Sequence, residues 1–228
     1  MLLTLSNLQA LRIDVVPNLT TQFENAFSVK LTEEAKTIRD VLGQIDAQLF
    51  QSYIRPAVET VRTIIRQGIA APDWAPGPNE KPKEVKPYVY EALLSLVLVH
   101  TQVSTTASSL TAQVLSHLLE QASRELLDSF KQRKRYSLSA LMQATLDVEF
   151  VAQSLSQYTT NKVSEVQSQI YQELDKGTDN EARTRLQNEL PEMRAVLKRL
   201  REGSRSEFAC FKKTRRSERP SQPPQPVV

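Results

Sequence analysis

Residues 87–133, PYVYEALLSLVLVHTQVSTTASSLTAQVLSHLLEQASRELLDSFKQR, decide the fold. Val89, Leu93, Leu96, Val97, His100 and Val103 recur at three- and four-residue spacing, and Leu110, Val114, Leu118, Ala122 and Leu126 do so again. Leu115, Leu119 and Phe130 stand beside the second row. This period lays an apolar stripe along a helix and leaves the other face polar. The Ser104–Ser109 stretch between the two rows is polar and rich in Ser and Thr, poor helix formers that favour a break. Lys131, Arg133, Lys134 and Arg135 close the second helix, where positive charge complements its dipole.

The same pattern spreads to both sides. Residues 2–16 predict a helix with Leu5, Leu8, Leu11 and Val15 on one face. Pro17 opens a second short helical piece, in which Phe23 and Phe27 lie one turn apart. Thr32 is the expected N-cap of the next helix, with Glu33 and Glu34 in its first turn. Ile38, Val41, Leu42, Ile45, Leu49 and Tyr53 continue its apolar face, and Pro56 is expected to kink or restart it. Val58, Val61, Ile64 and Ile65 carry the face on to Gly68. A proline-rich loop follows, and its lone Trp74 is expected to plug into the body of the fold.

Beyond residue 133, Ser137 caps a helix bearing Leu138, Leu141, Val148, Ala152 and Leu155. Val163, Val166, Ile170 and Leu174 mark another, ending near Gly177. Pro191 is the expected first residue of the last helix, with Met193, Leu197 and Leu200 on its apolar side and Phe208 and Phe211 after Gly203. The expected organisation is an N-terminal helical bundle segment over 1–70, a Pro-rich loop over 71–87, a C-terminal helical bundle over 88–216, and a disordered Pro-rich tail over 217–228. No stretch alternates as a strand does. The predicted fold is all-α, an elongated stack of antiparallel helical bundles.

Composition narrows the function classes. Five scattered glycines argue against an all-β fold and against a phosphate-cradling loop. Cys210 is the only cysteine, so no internal disulfide forms and a reducing compartment is the default. No apolar run approaches the roughly 20 residues of a membrane span. The net charge of +3 hides an asymmetry: Pro191 to Arg219 holds ten Lys and Arg against four Glu, so the rest of the chain is net acidic.

Site chemistry is sparse. His100 has no Cys, Asp or Glu three or four residues on, and His117 has only Glu120, so neither forms a metal-binding set by itself. Cys210 sits between Ala209 and Phe211, an apolar setting that keeps a thiol inert. Glu33 with Glu34 and Asp179 with Glu181 fall where helix starts want negative charge. No catalytic, cofactor-binding or metal-ligating set is predicted, and no small-molecule substrate. The basic cluster Lys212, Lys213, Arg215, Arg216 and Arg219 fits two readings. It is either a solvated helix end or a contact for anionic lipid, each cation near such a surface being worth about 1 kcal/mol. Nucleic acid is disfavoured because no aromatic residues are interleaved for stacking.

Several strings, in order and spacing, resemble the C-terminal region of the Sec-five family of exocyst vesicle-tethering subunits. They are Leu3-Thr4-Leu5-Ser6-Asn7, Leu49-Phe50 with Tyr53-Ile54, and Gly68-Ile69 leading to Asp73-Trp74. Further on come Tyr88, Glu91-Ala92-Leu93, Val99-His100, Val103 and Val114-Leu115-Ser116. Glu120, Ser123, Glu125-Leu126 and Cys210-Phe211 complete the set. The resemblance implies a rod of stacked helical bundles and a non-enzymatic role in holding secretory vesicles at the plasma membrane before fusion. It also implies a cytoplasmic chain at sites of secretion, with other exocyst subunits as partners. It does not extend to the family's immunoglobulin-like domain that binds Ral GTPases, nor to its long coiled-coil segment, so the chain reads as a piece of a longer protein.

Overall fold

The computed structural model describes residues 1–77, 80–133 and 135–212; the expectation of a disordered tail over 217–228 lies outside them. Among the described residues there is no strand. The helices are α1 (Leu2–Ala10), α2 (Val16–Phe27), α3 (Thr32–Ala70) and α4 (Pro87–Thr106). They are followed by α5 (Thr111–Lys131), α6 (Leu138–Ser154), α7 (Asn161–Lys176) and α8 (Asn180–Gly203). The predicted break in the 104–109 stretch is there, as a short 3-10 turn over Ser108–Leu110. Ser137 and Asp179 cap α6 and α8 through side-chain oxygens that accept the N–H groups of Ala140 and Ala182.

Side-chain pairs fix the directions. Phe50 meets His117 and Arg66 meets Glu125, so α3 and α5 run parallel. Gly68 lies against Tyr88, and Tyr53 reaches Gln102, so α3 and α4 are antiparallel. Tyr136, just past α5, donates its N–H to Gly177 at the end of α7, which places those two C-termini together. Ser137 and Met142 share a cleft with Asp179 and Ala182, and Gln153 bonds Arg201, so α6 and α8 are parallel. The result is two layers. Helices α3, α5 and α7 lie side by side in one, and α4, α6 and α8 in the other, with α1 packed on α3 and α4.

Burial follows this stacking. One continuous apolar core runs from Leu2 and Leu5 through every layer to Phe208 and Phe211. Helix α6 is buried on nearly all sides, from Ser139 to Val151. At the C-terminal end Tyr90, Phe150, Phe208 and Phe211 form an edge-and-stack aromatic cluster, with His100 and Tyr158 edge-on to Phe211. This cluster pins the chain after α8 onto α4 and α6.

A π-helical turn over Leu11–Val15 joins α1 to α2, and Pro17 sits in the first turn of α2, as expected. Three local expectations are corrected. Thr32 is the first residue of α3, and Leu31 is its N-cap; the Leu31 N–H is taken instead by the Glu24 carboxylate at 2.7 Å. Helix α3 continues through Pro56, and Pro191 lies inside α8, not at its start. In both, packing outweighs the loss of one backbone hydrogen bond. Finally, the face begun by Leu5 does not stay buried, because Leu11 and Val15 are exposed.

Helices α3 and α4 approach closely at Gly68. A Cβ there would collide with Cβ and Cγ of Tyr88, itself held in the core. Alanine normally stabilises a helix interior by about 0.5–1 kcal/mol relative to glycine. Gly68→Ala is expected to reverse that sign and destabilise by about 1–3 kcal/mol through overpacking. Gly203→Ala, with open space around it, is the control that should not destabilise. Urea midpoints of the two variants decide the matter.

Candidate partner interface, core clasp and basic cleft

Helix α3 has 39 residues, whereas its neighbours α4 and α5 have 20 and 21. At about 1.5 Å per residue, α3 outreaches them by close to 30 Å. The overhanging part is accompanied only by the π turn and α2, which run back along it and are tied by the Arg12–Asp46 ion pair at 3.4 Å. The tip is closed by Ser28 in the left-handed conformation, φ 52°. On this hairpin Ile13, Leu19, Phe23, Phe27, Ile38, Val41 and Ile45 are each more than two-fifths exposed. Leu19, Phe23 and Phe27 form a stripe one turn apart, with the two rings 4.5 Å between centroids. Ile38, Val41 and Ile45 form a second stripe on α3. The sequence places Phe23 with Phe27, and Ile38 with Val41 and Ile45, on shared faces; among the described residues nothing covers them.

A second cluster was not foreseen. Asp147 on α6 is fully buried. Its Oδ1 accepts the Lys86 N–H at 3.0 Å and Gln143 Nε2 at 2.8 Å, and its Oδ2 accepts the Tyr88 hydroxyl at 3.0 Å. Gln143 Nε2 also donates to the Glu84 carbonyl at 3.0 Å. Burial pushes the Asp147 carboxyl up from 3.8 to about 6, against the hydrogen bonds that favour its charge. Trp74 is 1% exposed, as the sequence predicts, and packs on Phe130 with the Arg133 guanidinium 4.4 Å from its ring centroid. Arg133 Nη2 bonds the Ile69 carbonyl. Farther along, Lys81 lies between Glu189 and Glu192, and Arg199 holds the Lys83 carbonyl. The segment between α3 and α4 is thereby strapped across α6 and α8. Asp147 faces no solvent, so this group holds chain segments together and meets no substrate.

Burial lowers the pKa of His100 and His117 and raises that of Cys210. Among the described residues no group of three or more His, Cys, Asp or Glu side chains could hold a metal ion. No described helix is long and apolar enough to cross a membrane.

Of the predicted basic cluster, Lys212 is exposed at the end of the described chain, and Lys213, Arg215, Arg216 and Arg219 lie outside the described residues. The structure brings Lys212 into a cleft with two cations not singled out from the sequence, Arg201 and Arg205. Arg201 ends α8 and Arg205 follows in the next turn, so their closeness in sequence was the available signal.

Among the described residues this all-helical stack leaves long apolar stripes exposed, surfaces of the kind through which proteins associate. The chain belongs to the exocyst complex component Sec5 family, whose model matches residues 1–211. It is similar to exocyst complex component 2 of Homo sapiens, 26% identical over 162 residues that make up 70% of this chain and 17% of that protein. The Mus musculus protein of the same name is 26% identical over 164 residues, 71% of this chain and 18% of that protein. The chain therefore spans less than a fifth of the length of these relatives. No solved structure matches it.

Proposed function

We propose that this chain is a scaffold section of the exocyst that helps hold secretory vesicles at the plasma membrane before fusion. In this reading its overhanging hairpin docks an amphipathic helix of another exocyst subunit. The observation that carries the reading is the pair of uncovered stripes on α2 and α3, next to a core that is otherwise closed. Apolar stripes of this length on a helix pair need a further helix against them. Burying a large apolar side chain yields about 1.5–3 kcal/mol, so two phenylalanines and the four aliphatic residues Leu19, Ile38, Val41 and Ile45 form an adequate centre for an interface. Family membership supplies the partner class, since the chain belongs to a family of exocyst components. The site of action is then the cytoplasmic face of the plasma membrane, reached through the complex.

The test is capture of purified exocyst subunits, one at a time, by the purified chain and by a Phe23→Asp, Phe27→Asp, Ile38→Asp variant. The wild type should retain at least one subunit, and the variant should bind it more than about a hundredfold more weakly. Its unfolding midpoint should be unchanged, because all three residues are exposed. Equal capture by both chains overturns the reading. So does a variant that loses only association with its own copies, since the stripes would then join identical chains.

A further inference from the structure

Arg201 lies in the last turn of α8 and Arg205 in the turn just after it, and the chain beyond brings Lys212 into the same cleft. The three cations line one cleft of 420 Å³ whose floor is Phe208 and Phe211. That volume falls within the roughly 300–1,000 Å³ of small-ligand sites. Arg201 Nη1 donates to Gln153 Oε1 at 2.8 Å, which fixes the guanidinium and leaves its remaining N–H donors for a ligand. Ser154 and Ser156 add hydroxyl donors from the end of α6.

What distinguishes this cleft is its charge. Four other clefts on the surface mix cations with carboxylates: Lys81 and Arg185 with Glu181, Arg62 with Glu59, Arg194 with Glu149, and Lys162 with Glu120. No Asp or Glu lines the Arg201 cleft. Among the described residues, none of its three cations is in an ion pair. Three uncompensated positive charges around hydroxyl donors fit an anion of matching multiplicity; a single carboxylate would leave most of that charge unanswered. Arginine forks favour phosphate oxygens in particular.

We infer that this cleft binds a small polyanion bearing two or more phosphate groups, such as a phosphorylated inositol ring, either free or as a lipid headgroup. The inference stands apart from the hairpin interface and from exocyst membership.

The experiment uses the full chain and two probes. Soluble inositol trisphosphate is titrated calorimetrically, and phosphatidylcholine vesicles containing phosphatidylinositol bisphosphate are tested by flotation against vesicles matched in charge with phosphatidylserine. An Arg201→Ala, Arg205→Ala, Lys212→Ala variant should lose about a hundredfold in affinity for inositol trisphosphate. A Lys213→Ala, Arg215→Ala, Arg216→Ala variant should keep most of it. If the bisphosphate vesicles float the wild type and not the cleft variant, the ligand is a lipid headgroup; if only the soluble probe binds, it is a free phosphate ester. Should the triple variant fold poorly by circular dichroism, Arg205→Glu alone must still weaken binding by at least about tenfold. Wild-type binding that the cleft variants leave unchanged overturns the inference, as does a wild type that binds neither probe.

Discussion

Asp147→Ala is expected to cost about 2–6 kcal/mol of stability, because it leaves two buried neutral donors without an acceptor at about 1–3 kcal/mol each. The Lys86 N–H and the Tyr88 hydroxyl would lose their acceptor, and Gln143 would keep only the Glu84 carbonyl. Asp147→Asn behaves differently. Its amide oxygen can accept from Lys86 and Gln143, and its amide nitrogen can donate to the Tyr88 oxygen, so the group stays bonded without carrying charge. The carboxyl titrates at about 6 in the folded chain and at 3.8 when exposed, so folding favours its protonated form. Stability from this group is therefore full below the lower value and is lost as pH rises through the upper one. A gap of that size corresponds to about 3 kcal/mol. Urea denaturation of wild type and Asp147→Asn between about pH 4 and pH 7 should show the difference between them shifting toward the variant as pH rises. A difference that does not change with pH would mean that the carboxyl is not held in an apolar setting.

Trp74→Ala is expected to cost about 3–5 kcal/mol, the range for deleting a buried aromatic. The ring is enclosed by Phe130 and capped by Arg133, and nothing nearby is positioned to fill the space. The loss should also loosen the segment between α3 and α4, whose other ties are the Asp147 group and the surface pairs of Lys81 and Arg199. Trp74→Phe should cost less than Trp74→Ala because it keeps a ring; the indole N–H it removes makes no hydrogen bond of ordinary geometry but lies close to the Asp147–Tyr88 pair. Amide exchange of residues 80–86 provides the readout. The alanine variant should lose protection at Lys86, and the phenylalanine variant should retain it. Equal protection in both would show that Trp74 does not anchor the strap.

The helices and their apolar faces were legible because a 3.6-residue period survives in a single sequence. Which helix lies beside which was not. Parallel stacking of α3 on α5 and of α6 on α8 depends on contacts such as Arg66 with Glu125 that no local pattern announces. Proline was overread: Pro56 and Pro191 lie within helices whose packing on both sides of the proline outweighs one missing bond. Asp147 was hidden for a related reason. A carboxylate on a helix is ordinarily a solvent-facing residue, and its partners Lys86 and Tyr88 are remote in sequence. The hint was that Leu138 to Val151 is apolar all round, leaving Asp147 and Gln143 no wet side to face. On the hairpin, Phe23 and Ile38 were correctly placed on stripes, but burial is a property of neighbours and only the fold shows that none is present.

The central claim is that the overhanging hairpin is where this chain meets its complex. Lys30 and Lys36 flank its tip, whereas Lys162 and Lys176 lie on α7, away from it. Amine cross-linking with mass spectrometry on the assembled exocyst, with this chain as its Sec5-family subunit, tests the claim most directly. The account predicts links from Lys30 and Lys36 into another subunit, lost when Phe23 and Phe27 are changed to Asp. Links to other subunits only from Lys162 and Lys176, with Lys30 and Lys36 joined to nothing outside their own chain, would contradict it.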